Sequence, residues 1–138
     1  MATRLGPEAW PYASLVLSAA DEAGNPILLL SALAQHSKNL NEDPRLSLLF
    51  TAPSAEGAES ADRLAEARVT VLGRAARSGD PALRRRFLAR HPEAAAYADF
   101  GDFAFYRVAI ERAHLIQGFG RIVWLEAADL AAARAATG

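Results

Sequence analysis

The chain has 138 residues and a formal net charge of -1, from 15 basic and 16 acidic side chains. That length suits one domain spanning residues 1–138, and the near-neutral balance supplies no field to draw the chain to nucleic acid or to an anionic membrane. Cysteine is absent, which excludes disulfides, thiolate metal sites and a thiol nucleophile and suits a reducing, cytoplasmic compartment.

Trp10 to Ala20 mixes aromatic, β-branched and aliphatic residues without helical periodicity, and Asp21 to Pro26 forms a turn leading into the apolar run Ile27 to Leu30. The pair is expected to form a β-hairpin. Ser31 is placed to cap a short helix running to about Asp43, where Pro44 prevents continuation, and Leu46 to Thr51 resumes a strand. Pro53 to Ala67 is small, acidic and loop-like, and Arg68 to Arg77 alternates Val69, Val71 and Gly73 against Thr70, Leu72 and Arg74 as a strand does. Asp80-Pro81 pairs an N-cap with proline at the first helical position, opening an amphipathic helix that ends near Pro92. A short helical turn from Pro92 to Tyr97, strands at Phe103 to Ile110 and His114 to Gln117, an extended segment near Trp124 and a terminal helix over Asp129 to Ala136 complete the pattern. Six strand candidates joined by short turns are expected to close as an antiparallel barrel with peripheral helices, a mainly β, α+β fold. The longest apolar runs, such as Leu46 to Phe50, fall far short of the roughly 20 residues of a membrane span, and Met1 to Arg4 does not lead into a signal-peptide core.

Chemistry concentrates between Ser31 and Leu40, where a strand hands over to a helix. The hydroxyls of Ser31 and Ser37, the imidazole of His36 and the amide of Asn39 stand near a helix start, whose free N–H groups and partial positive charge favour an anion such as phosphate. The competing reading is a plain Ser31 cap followed by a polar helix face. A second cluster, Gln117-Gly118-Phe119-Gly120-Arg121 with Trp124, lets backbone approach a flat ligand, or else is a glycine bulge. His36, His91 and His114 lack metal-ligand spacing, so no metal is expected. The Arg84-Arg85-Arg86 run reads as a solvated or paired helix face, and Phe87, Phe100, Phe103, Phe105 and Tyr106 as core or dimer seam.

Taken together, Pro11-Tyr12-Ala13-Ser14-Leu15-Val16, the Ile27 to Leu30 strand, Ala34-Gln35-His36-Ser37-Lys38-Asn39-Leu40 and Asp43-Pro44-Arg45-Leu46-Ser47-Leu48-Leu49-Phe50 resemble the FMN-binding split-barrel family typified by pyridoxamine 5'-phosphate oxidase. The later runs His91-Pro92-Glu93-Ala94, Tyr97-Ala98-Asp99-Phe100-Gly101-Asp102 and Gly118-Phe119-Gly120-Arg121 resemble its heme-iron-utilisation branch, so the likeness extends from Trp10 to Leu125. It implies a six-stranded antiparallel split β-barrel of Greek-key type and a homodimer with FMN at the interface. It further implies a cofactor site drawn from Ser14, Leu15, Val16, Ser31, Leu33, Gln35, His36, Ser37, Asn39, Phe119 and Arg121. Met1 to Arg4 resembles the tail of a first strand that relatives precede with a helix, and with the smaller C-terminal domain of many heme-utilisation relatives absent after Gly138 a minimal flavin module is expected. The sequence departs from the oxidases where they place cations on the phosphate: Ser14 stands in the arginine position, and Gln35-His36 in the Arg-Lys position. An FMN-dependent oxidoreductase passing hydride or electrons to an unknown small molecule is therefore expected, with no catalytic side chain named. The alternatives are a heme-handling protein with His36, His91 or His114 as axial ligand, and a flavin-binding dimer without turnover.

Overall fold

Strands β1 (Ala2–Leu5) and β2 (Trp10–Ala13) pair as one hairpin, and β3 (Ser18–Ala20) and β4 (Pro26–Ser31) as another. Helix α1 (Gln35–Glu42), strands β5 (Arg45–Thr51) and β6 (Arg68–Arg77), helix α2 (Pro81–Arg90) and a 3-10 turn at Pro92–Ala96 follow. Strands β7 (Phe103–Gln117) and β8 (Arg121–Glu126) and helix α3 (Ala127–Thr137) end the chain. The computed structural model describes residues 1–53, 64–118 and 120–137. Among these, no helix is long and apolar enough to cross a membrane, and no group of three or more metal-ligating side chains is found.

The eight strands form one antiparallel sheet in the order β2-β1-β5-β6-β7-β4-β3, with β8 added to β7. The two outermost strands, β2 and β3, are consecutive in the chain, joined only by residues 14–17. So short a link spans at most about 18 Å between the last residue of one strand and the first of the next. The sheet must therefore curl until its ends approach, giving a split barrel whose seam is bridged by chain and not by a hydrogen-bonded ladder.

The interior is filled by Leu28, Leu30, Leu46, Leu48, Val71, Ala75, Tyr106 and Val108. A second cluster lies outside the barrel, where α2 and the 3-10 turn press Leu83, Phe87, Ala94 and Ala98 onto Ile27 and Leu29. Strand β4 is thus buried on both faces, which is why its sequence is a continuous apolar run and not an alternation.

Four expectations change. Among the described residues the barrel has eight strands and not six: Ala2–Leu5 and Arg121–Glu126 are full strands of the sheet, and Trp10 to Ala20 is two strands, since Ser14–Leu17 crosses the seam and leaves β2 on β1 and β3 on β4. The two strands expected over Phe103 to Gln117 are one, and the register shift opposite Leu72 and Gly73 leaves Glu111 as an extra residue. That bulge switches the phase of alternation, so the pattern breaks although the strand does not. Gly73 sits at the shift, where a Cβ would meet Ala109 O at 2.5 Å. Helix α1 begins at Gln35 after an Ala34 cap that makes no side-chain bond, so Ser31 does not cap it. Of the core and the dimer seam, the two places expected for Phe100, the core is excluded, since the residue is exposed in the single chain, its ring set edge-on to Phe103. The strand over Arg68–Arg77 and the Asp80 cap of α2, whose carboxylate accepts from Ala82 N at 2.9 Å, match the sequence.

Candidate functional site

The seam crossing and the β4-to-α1 corner meet around one cavity of about 290 Å³, lined by Leu15, Val16, Leu17, Ser31, His36 and Phe103 among others. Local chemistry builds this corner. Ser31 ends β4, its Oγ accepts the Leu33 N–H at 3.1 Å and donates to Asp102 Oδ2 at 2.6 Å, while the Ala32 N–H donates to Asp102 O at 2.7 Å. The turn is latched to the loop before β7, and the latch sets where α1 begins.

Helix α1 carries two polar faces with different tasks. Asn39 is 2% exposed, donates to Thr3 Oγ1 at 3.0 Å and accepts from Gln35 Nε2 at 2.9 Å, so both side chains anchor α1 to β1. His36 faces the cavity, and among the described residues it is the histidine without a hydrogen-bonded or stacked partner. Burial, and after it the Met1 ammonium, lower its pKa, so the imidazole is neutral at pH 7. The backbone N–H groups of Gln35 and His36, in the first turn of α1, have no acceptor among the described residues. Ser14 Oγ and Ser37 Oγ are buried without a hydrogen-bond partner among the described residues.

Leu15, Val16, Ser31 and His36 therefore converge on one cavity, with Ser14 beside it in the chain and Ser37 behind His36 on α1. Leu33, 75% exposed, and Arg121 on β8 do not line it. Phe119 lies outside the described residues, as does most of the acidic loop. Gly118 and Gly120 have φ of 59° and 114°, values that favour glycine, so the Gly-x-Gly signal marks the β7–β8 turn. Trp124 stacks on His114 with ring centroids 4.4 Å apart, and the Arg112 guanidinium carbon lies 4.3 Å from its ring centre. His91 is also engaged: its Nε2 lies 2.8 Å from Ser18 O, which can only accept, so this nitrogen carries the proton.

Leu17, Tyr97 and Phe103 complete the apolar wall and escaped the sequence reading. Leu17 was hidden inside a presumed strand, and the two aromatics carry no signal separating a cavity wall from a core. Asp102 also gave no sign of its Ser31 contact, since it lies 71 residues away in the chain.

A family model described as "CREG, beta-barrel" matches residues 7–131. A curated protein of Arabidopsis thaliana, the chloroplastic non-canonical heme oxygenase HOZ, is 37% identical over 114 residues, which are 80% of this chain and 33% of that protein. A solved heme-binding protein from Mycobacterium smegmatis superposes with a TM-score of 0.85 at 37% identity, covering 95% of this chain and 53% of the other. The heme storage protein HutZ of Vibrio cholerae shares the fold, with a TM-score of 0.63 at 20% identity over 85% of this chain and 83% of its own. This chain thus spans one third of the plant protein and about half of the mycobacterial one.

Proposed function

This chain belongs to the CREG β-barrel family, within the FMN-binding split-barrel group, and on that premise we propose that it is a heme-binding module in which His36 would hold the heme iron. The observation that carries the proposal is the cavity-facing, partner-free and neutral imidazole of His36, since a ring nitrogen must be unprotonated to bind iron. Its surroundings suit a flat apolar macrocycle: Leu15, Val16, Leu17 and Phe103 form the wall, and no lysine or arginine among the described residues lines the cavity. The names of the plant and mycobacterial relatives point the same way. At about 290 Å³ the cavity encloses only part of such a ligand, and Leu15 at its rim is 98% exposed. A second copy of the chain covers the remainder in this proposal, which makes the module a homodimer. When bound, heme supplies redox and oxygen chemistry. This chain's own residues orient it, exclude water from one face and keep the imidazole deprotonated.

A second reading, FMN, is favoured by the two unpaired amides of Gln35 and His36 at the start of α1, which could receive a phosphate. The donor set fits it less well. The Ser31 proton is already directed at Asp102, whose carboxylate would face the phosphate, and His36 adds no positive charge at pH 7. FMN, if held there, would supply hydride or electron transfer.

Hemin and FMN titrations of the purified protein test the choice. Hemin is expected to produce a saturable Soret band that His36→Ala shifts or abolishes while circular dichroism is unchanged. An identical band and affinity in the variant would remove His36, and stoichiometric FMN binding without a hemin complex would replace heme by the second reading.

A further inference from the structure

A larger cavity, of about 860 Å³, opens in a second split of the barrel wall, between β4 and β8 along β7, and belongs to neither reading. Strand β4 pairs with β7 only between Phe103 and Arg107, and β8 only from Arg112 onward. Residues 108–111 therefore have no strand neighbour on that edge, and the interior becomes accessible through the gap. Phe50, Val71 and Ile110 line it from the barrel side, and Arg86, Ala89 and Arg90 of α2 from the other.

The two arginines are one helical turn apart and share a face, an arrangement mildly unfavourable for like charges unless an anion lies between them. Their neighbour Arg84 is paired with Asp99 at 2.8 Å, whereas Arg86 has only a long contact with a carboxylate and Arg90 none among the described residues. Arg86 spends its Nε on Ala20 O, and its nearest carboxylate is Glu22 at 4.0 Å, almost wholly in solvent. Arg90 has no acidic or hydrogen-bonding partner among the described residues. An apolar floor with paired cations at the rim matches an apolar chain carrying one carboxylate. We infer that the split binds a small apolar carboxylic acid, with its hydrocarbon against Phe50, Val71 and Ile110 and its carboxylate between Arg86 and Arg90.

Isothermal titration with decanoate and with decan-1-ol, which shares the hydrocarbon but not the charge, tests this. Decanoate is expected to bind at least about tenfold more tightly than the alcohol, and Arg86→Gln and Arg90→Gln each to weaken it by about tenfold. Ala89→Trp, which fills the cleft from an exposed helix position, should abolish binding of both probes, whereas His36→Ala should leave decanoate affinity unchanged. Equal affinity for acid and alcohol, undiminished binding in Arg90→Gln or Ala89→Trp, loss of binding in His36→Ala, or no decanoate heat at all would each overturn the inference.

Discussion

Gly73→Ala probes the bulged contact between β6 and β7. The added methyl would sit 2.5 Å from Ala109 O and 2.8 Å from Val108 Cγ1, against the 3.4 Å at which ordinary contact begins. The strands must part locally by about 0.9 Å. Ala109 O belongs to the backbone and cannot swing aside as a flexible side chain could. Overpacking a filled interior costs about 1–3 kcal/mol, and one weakened ladder hydrogen bond adds about 1 kcal/mol, so a loss near 3 kcal/mol is expected. With a urea slope of about 2 kcal/mol/M for a domain of this size, the unfolding midpoint should fall by about 1.5 M. Fluorescence of Trp10 and Trp124 reports the transition. Gly79→Ala is the matched control, since a Cβ there meets nothing within 4 Å and the residue has no positive φ. A Gly73→Ala midpoint within about 0.3 M of the parent would refute the close approach of β6 and β7 at the bulge.

Phe87, 1% exposed on the inner face of α2, should cost about 3–5 kcal/mol when truncated to Ala, measured by the same urea transition. Asp102→Asn removes the carboxylate that holds the Ser31 proton, so FMN affinity by fluorescence quenching should rise severalfold; unchanged affinity would mean that no phosphate approaches this corner. His36 has a lowered native pKa, so the unfolded chain binds its proton more readily, and stability should fall as pH drops below about 6.5. His36→Gln should flatten that part of a pH series of urea midpoints. Asp43, held well below the usual carboxylate range first by hydrogen bonds from Arg45, and Asp80, lowered by the Ala82 N–H, behave differently. Their contribution is complete above about pH 4 and is lost as acid protonates them below it, so Asp43→Asn should blunt a second, lower step.

The parts of the fold legible in the sequence are those fixed by local chemistry. Asp80-Pro81 announces α2 because a cap and a proline act within one turn, and β6 is bounded correctly because one of its faces alternates cleanly. What escaped depends on distant partners. Nothing in Ser14–Leu17 reveals that the chain leaves one edge of the sheet for the other, and the Glu111 bulge becomes visible only against Gly73 on β6. The site divides similarly. Leu15 and Val16, expected from the family resemblance, and Ser31 and His36, expected from the polar cluster at the helix start, do line one cavity, but Asn39, expected beside them as a ligand donor, is bonded to Thr3 instead. A polar side chain at a helix start looks the same in sequence whether it faces a ligand or another strand.

The double burial of β4 leaves one problem for the chain to solve. A strand with one wet face is punished for sliding by a single residue, because polar groups would enter the core. Ile27 to Leu30 offers no such penalty, since either parity presents aliphatic side chains to both compartments. Alignment must come from its ends, where the Asp21 carboxylate receives the Asn25 N–H at 2.8 Å and Ser31 is pinned to Asp102. Arg107, on the neighbouring strand, adds a charge contact 2.9 Å from Asp21. A few hydrophilic groups at the margins thus act as the ruler for a segment whose own composition cannot count.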